Sequence, residues 1–360
     1  MGTESKNISL NNALKARKDE FYTQYNDIEE EIKHYREWLR GKIVLCNCGD
    51  SIESAFFQYF VTNFNTLGIS KLIATSYSQS SIYHTMAGAW GAKRNAYKTV
   101  VTSVPVAFLR HPDGTLNTDK LFEIEGNTVE FLPGDGDFRT PENEDLLKQI
   151  DVVITNPPFS LFRDYVSQLY RHQKNFIILG NMNAATTKEI FPLFRDNKIW
   201  YGPSIRSGDR KFYVPEDYPL DATSCGIDTN GRKFIRVKGV RWFTNIECGV
   251  QRELLPLKQT YIPTANPTYD NYDAIEVSKT ASIPADYDGV MGVPITFLDK
   301  YNPAQFEVLM LANGNARTNV APGVLELVGY RHHREDKGGI PVLGDRRTYA
   351  RVLIKHHKSQ

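Results

Sequence analysis

Between residues 42 and 202, short apolar runs alternate with segments of helical spacing, and this alternation limits the possible folds more than any other feature. KIVLC (42–46), KLIAT (71–75), TVEFL (128–132), DVVIT (151–155), NFIILG (175–180) and KIWYG (198–202) read as strands. Helices are predicted over Ser51 to Phe64, with Ala55, Phe56, Tyr59, Phe60 and Phe64 inward, and over Ser160 to His172, with Leu161, Phe162, Tyr165, Val166 and Leu169 inward. A further helix is predicted over Thr186 to Asn197. An earlier one spans Gln24 to Arg40, with Ile28, Ile32, Tyr35 and Leu39 on one face and Gly41 as its stop. Alternation of this length predicts a doubly wound α/β sheet with helices on both faces. FIRVKGVRWFTNI (234–246) reads as a longer, antiparallel strand pair.

The pattern has one gap and one end. Residues 78–127 read as a long irregular insert. Its GAKRNAYK stretch fits either a segment that closes over a bound partner or a structural excursion. From about residue 250 the chain is rich in Pro, Tyr, Asp and Asn, as in YIPTANPTYDNYDAIEV, which predicts a smaller, loop-rich region. The expected organisation is a loose polar segment over 1–17, a main domain over 18–249 and a second region over 250–360. A hydrophobic content of 41% supplies a core, and 24% charged residues exclude wholesale disorder. The net charge of +1 excludes a global field for a polyanion, but the charge is unevenly spread. Residues 331–360 hold eight Lys/Arg against three Asp/Glu, and 204–241 hold eight against five. Four cysteines are too few for a disulfide scaffold. Cys46 and Cys48 lie far from Cys225 and Cys248, with no zinc-like spacing, so reduced thiols and no metal are expected. The N-terminus has no apolar signal core and no apolar run reaches membrane-spanning length, which predicts a cytoplasmic protein.

DVVIT runs straight into Asn156-Pro157-Pro158-Phe159, and a helix follows at once. This places the tetrapeptide at the carboxyl end of a strand, where open α/β sheets bind ligands. The four residues suit one chemistry. An exocyclic amine on an aromatic base is a poor nucleophile, because its lone pair is delocalised into the ring. Two acceptors for its N–H groups, the Asn156 side-chain oxygen and the Pro157 carbonyl, draw it toward tetrahedral geometry. The prolines remove competing donors and fix φ, so both acceptors stay aimed. Phe159 stacks on the base once it leaves its helix. A methyl group on a sulfonium aligned with the amine needs no general base.

TNPPF resembles the signature of S-adenosylmethionine-dependent amino-methyltransferases. Together with DEFYTQYNDIE (19–29), VLCNCGD (44–50), GDGDFR (134–139), KIWYG, YDNYDAI (269–275) and DYDGVMGVPITFL (286–298), it resembles the EcoRI-type adenine-specific DNA methyltransferases over most of the chain from about residue 18. The resemblance implies a Rossmann-like class I methyltransferase sheet, S-adenosyl-L-methionine as cofactor, and a smaller C-terminal target-recognition region. It places Tyr22 and Thr23 against the methionine part of the cofactor, and Asn47, Cys48 and Asp50 in the loop that cradles it. Asp135 joins this set. Asp137 accepts from the cofactor's adenine amine, and Phe138 stacks on that ring. Trp242 and Phe243 pack beside the flipped base. Two departures stand out. The loop holds one glycine, Gly49, with Cys46 where an acid is common, and the second strand ends in Thr75-Ser76-Tyr77 without the acid that holds the ribose.

The implied function is N6-adenine methylation in double-stranded DNA, at a GAATTC-like site. Base edges would be read from about Cys248 onward, and phosphates met by Lys/Arg of 204–241 and 331–360. Restriction-modification implies a cognate endonuclease acting separately on the same site, and a monomer suffices for one methyl per event. Methylation of RNA, protein glutamine or cytosine N4 is the alternative within the class. A non-catalytic DNA-binding module on the same fold is the alternative outside it.

Overall fold

The computed structural model describes residues 21–49, 52–78, 96–105, 110–111, 115–216, 218–220, 224–249 and 253–357. The chain forms two compact units, one of Met1–Met182 with Gly202–Ile246 and one of Asn183–Tyr201 with Glu247–Gln360. The strands in chain order are β1 (Ile43–Cys46), β2 (Lys71–Thr75), β3 (Tyr97–Val101), β4 (Thr128–Phe131), β5 (Val152–Thr155), β6 (Asn175–Asn181), β7 (Trp200–Tyr201), β8 (Asp209–Tyr213), β9 (Cys225–Ile227), β10 (Lys233–Lys238), β11 (Val240–Thr244), β12 (Ala274–Glu276), β13 (Val290–Val293), β14 (Phe306–Ala312), β15 (Val342–Leu343), β16 (Arg346–Arg347) and β17 (Arg351–His356).

Within the first unit the main sheet runs β4-β3-β2-β1-β5-β6-β11. β2, β1, β5 and β6 are parallel. Val44, Leu45, Leu72, Val152, Val153, Ile154 and Ile177 are completely buried, as expected for strands covered on both faces. The helix over Ala55–Thr62 begins at Ser54, whose Oγ accepts from the Phe57 amide at 3.2 Å. The expected helix over Gln24–Arg40 is present as Tyr25–Ile32, a 3₁₀ turn and Arg36–Leu39. The helix after the Pro-Pro turn runs Phe162–Arg171, entered through a 3₁₀ turn at Phe159–Leu161. Of the helix expected over Thr186–Asn197, only Phe191–Arg195 is α-helical, with Pro192 fixing its start.

Three expectations are corrected. The described part of the 78–127 insert is not all irregular. Tyr97–Val101 is a strand, antiparallel to both β2 and β4. FIRVKGVRWFTNI does form two strands, but they do not pair with each other. Gly239 (φ +72°) turns the chain, so β10 joins β8 and β9 in a three-stranded antiparallel sheet while β11 pairs with β6. The Pro- and Tyr-rich second region also builds a sheet, β12-β13-β17-β14. Its core holds Tyr269, Tyr272, Met310 and Leu353. Beside it Arg351 binds the buried Glu276 carboxylate through two nitrogens, at 2.7 and 3.0 Å. Among the described residues no helix is long and apolar enough to cross a membrane.

Candidate active site

β1, β2 and β5 are parallel, so the segments that follow them emerge on one edge. β4 is antiparallel to β3, which is antiparallel to β2, so the loop after β4 emerges there too. Hydrogen bonds stitch these four loops together. The Asn47 carbonyl accepts from Thr155 Oγ1, and Asn47 Oδ1 accepts from the buried Tyr165 hydroxyl. The Ser78 amide donates to the Asp135 carbonyl at 2.8 Å. Cys48 adopts a left-handed backbone, φ 67°, which turns the chain out of β1. Gly136 has no alternative residue. At φ +82°, a Cβ there would lie 2.0 Å from the Ser76 carbonyl oxygen.

Asn156 is the centre of this edge. Its Nδ2 donates to the Phe21 carbonyl at 2.9 Å, which fixes the orientation of the amide. Its Oδ1 is buried and, among the described residues, has no partner. Among the described residues no donor reaches the Pro157 carbonyl either, and Pro158 has no N–H to offer. Two acceptors therefore stand unused, side by side in sequence. A buried acceptor without a donor costs roughly 1–3 kcal/mol, so a structure that keeps one is poised for an external N–H. The ring of Phe159 meets Phe21 edge-on at 5.6 Å.

The Phe-Tyr-Thr segment is thus part of the same site. Phe21 is buried and packs on Phe212 at 5.6 Å, while the Tyr22 amide donates to the Tyr213 carbonyl at 3.0 Å. The Thr23 Oγ1 and, at the end of β2, the Thr75 Oγ1 are buried hydroxyls without partners among the described residues. The segment leads into the helix Tyr25–Ile32, which the wholly buried Glu31 anchors. That carboxyl accepts from Tyr35 Oη at 2.8 Å and from the Ser204 amide at 3.0 Å. Burial pushes its pKa up to about 7, against the opposing effect of those two donors. A Cβ on Gly202 would sit 1.9 Å from its Oε1.

In the loop after β4, Asp135 Oδ1 accepts from the Asp137 amide at 3.0 Å. Asp137 is gripped by Arg139, through Nε at 2.9 Å and a terminal nitrogen at 2.5 Å. The Arg139 hydrogen bonds hold the Asp137 carboxyl below its ordinary range. A carboxylate offers about four acceptor directions, so lone pairs remain for another donor. Phe138 meets Tyr165 edge-on at 4.9 Å, and its carbonyl accepts from Gln168 Nε2 at 2.9 Å.

Of the residues singled out in the sequence, Tyr22, Thr23, Asn47, Cys48, Asp135, Asp137, Phe138 and Asn156–Phe159 lie on these connected segments. Asp50 lies outside the described residues. Trp242 and Phe243 are different. Both are completely buried, Trp242 edge-on to Phe56 at 6.2 Å and Phe243 against Phe162 at 4.7 Å. Neighbouring strand residues point to opposite faces, and here both faces are covered. Packing beside an extruded base does not fit that burial. Sequence reasoning missed Phe21, which orients Asn156, as well as Tyr165 and Arg139. Phe21 stood inside a quoted motif, but only its backbone carbonyl matters to the amide, and no residue type signals that.

The family model for the adenine-specific methyltransferase EcoRI matches residues 9–357. The chain is 44% identical over 316 residues to the type II methyltransferase M.EcoRI of Escherichia coli, covering 87% of this chain and 92% of that protein. It is 36% identical over 357 residues to the type II methyltransferase M.MpnI of Mycoplasma pneumoniae, covering 97% and 98%. It is 35% identical over 353 residues to the type II methyltransferase M.MgeORF184P of Mycoplasma genitalium, covering 96% and 98%.

Proposed function

The chain belongs to the EcoRI family of adenine-specific methyltransferases, and from that premise we propose that Asn156 and Pro157 activate the N6 amine of an adenine flipped out of duplex DNA. It is an adenine-specific DNA methyltransferase with a Rossmann-like sheet. The observation that carries the site assignment is the Asn156 amide, with Nδ2 committed to Phe21 and Oδ1 left without a donor.

The division of labour follows from that geometry. Asn156 Oδ1 and the Pro157 carbonyl accept the two amine hydrogens and release the nitrogen lone pair from the ring. Phe159, braced by Phe21, stacks on the base. S-adenosyl-L-methionine, when bound, supplies a methyl group activated on a sulfonium. The unpartnered Thr23 and Thr75 hydroxyls and the close approach at Gly136 suit a polar ligand on this edge. Tyr22, Thr23, Asn47, Cys48, Asp50, Asp135, Asp137 and Phe138 would hold it. The Asp137 lone pairs not taken by Arg139 would receive its adenine amine.

The recognition site is GAATTC or a near relative of it. A separate endonuclease cutting the same site is the matching partner, and a monomer suffices for one methyl per event. The test is to incubate the protein with unmethylated genomic DNA and S-adenosylmethionine and map modified bases by single-molecule sequencing. N6-methyladenine at one recurring motif is expected. Asn156→Ala should abolish it while S-adenosylhomocysteine still binds by calorimetry. Loss of cofactor binding in that variant would refute the assigned role.

A further inference from the structure

The motif YDNYDAI has no part in the chemistry above, but in the structure it is a mounting. Asn271 is completely buried. Its Nδ2 donates to the Ile340 carbonyl at 2.9 Å, and its Oδ1 accepts from the Val342 amide at 2.9 Å. The Asp270 amide donates to the Val342 carbonyl at 2.8 Å, and Asp270 Oδ2 accepts from the Asp345 amide at 3.0 Å. These bonds hold a minimal hairpin in which β15 and β16 are joined by Gly344 (φ +56°) and Asp345 (φ +57°). Two consecutive residues of positive φ match the type I′ turn, the stiff two-residue hairpin connection. The Thr348 amide closes its base onto the Pro341 carbonyl at 2.9 Å.

The hairpin presents two arginines whose side chains have no partner among the described residues. Of the six arginines between 253 and 357, four hold carboxylates: Arg317 with Asp336, Arg331 with Asp273, Arg334 with Asp345 and Arg351 with Glu276. Arg346 and Arg347 are exposed and, beyond the backbone pairing of the hairpin, neither side chain holds a carboxylate or a hydrogen bond among the described residues. The hairpin's own acid, Asp345, is drawn to His333 at 3.4 Å and Arg334 at 3.7 Å. Register separates the two arginines. Arg347 lies opposite the buried Val342 and shares its face, whereas Arg346 lies opposite Leu343 on the other face.

We propose that this hairpin reads DNA, with Arg346 forked onto a guanine edge in the major groove and Arg347 on a backbone phosphate. The proposal rests on the duplex-DNA reading above. A two-stranded ribbon fits the major groove, and guanine O6 and N7 are the acceptor pair that an arginine fork matches. A GAATTC-like site offers a G·C pair at each end.

The experiment uses full-length wild type, Arg346→Ala, Arg346→Lys and Arg347→Ala, with duplexes carrying the mapped site or one substituted base pair. Melting temperature and S-adenosylhomocysteine binding serve as folding controls. Arg346→Ala and Arg346→Lys should lose discrimination at a G·C pair by about tenfold or more and keep it elsewhere. Arg347→Ala should weaken every duplex alike and flatten the slope of log K against log salt by about one. Wild-type discrimination in both Arg346 variants, or an unchanged slope in Arg347→Ala, would overturn the proposal. Wild-type protein that binds S-adenosylhomocysteine yet modifies no DNA would overturn the proposed function itself, and the hairpin's role with it.

Discussion

Glu31 makes the stability of the first unit depend on pH in a direction opposite to that of a paired carboxylate. Its folded carboxyl titrates near 7 and the ordinary value is 4.5. Between these values the folded chain keeps a proton that the unfolded chain has shed, so stability falls as pH rises through this window. The full gap corresponds to roughly 3 kcal/mol. Linkage puts roughly 1 kcal/mol of that loss in place by pH 5 and nearly all of it by pH 8. Glu31→Gln keeps an oxygen for the Ser204 amide, turns an N–H toward the Tyr35 hydroxyl, which can rotate to accept it, and removes the charge. At pH 8 the variant should therefore be the more stable protein by about 3 kcal/mol. The melting transition of the first unit should rise by about 6–12 °C, since 1 kcal/mol moves a domain of this size by about 2–4 °C. Scanning calorimetry of both proteins at pH 5, 6, 7 and 8 measures the gap. A gap that stays constant with pH, or widens toward acid, would refute the argument.

Gly136→Ala should weaken S-adenosylhomocysteine binding by about tenfold or more, since a left-handed alanine costs roughly 1–2 kcal/mol and the new Cβ forces the loop off the Ser76 carbonyl. Isothermal titration gives the answer, and wild-type affinity would mean that the loop lies outside the cofactor site. Tyr165→Phe leaves Asn47 Oδ1 without its hydroxyl donor in a buried setting, at a cost of roughly 1–3 kcal/mol. Chemical denaturation should register that loss, and an unchanged midpoint would refute it, showing that the Cys48 thiol, which already donates to the same oxygen at 3.7 Å, satisfies it alone.

The parallel strands were legible because each is buried on both faces and so reads as an unbroken apolar run. KLIAT matches β2 residue for residue. The Pro-Pro turn was legible because proline ends a strand by covalent geometry, whatever surrounds it. β3 was not, because Tyr97–Val101 alternates buried and part-exposed positions and lies in a segment without other periodicity. The separation of β10 from β11 depends on which distant strands they meet, and a local pattern carries no such information. The complete burial of Trp242 and Phe243 was not legible for a related reason, since an aromatic pair on a strand looks the same in sequence whether helices or solvent cover it. YDNYDAI stands in a stretch expected to be loop-rich, yet Tyr269, Asn271 and Tyr272 are buried, because each side-chain polar atom finds a partner inside the second unit.

The bond from Asn156 to the Phe21 carbonyl spans 135 residues. During synthesis the N-terminal segment leaves the ribosome long before the turn it will orient has been made. Closing so long a loop costs entropy that the strands between must first offset. A half-made chain can possess the strand, both prolines and the aromatic ring while its asparagine still rotates freely, turning donor and acceptor alike toward any incoming amine. The amide is therefore held in one orientation only in molecules whose first unit has closed around it.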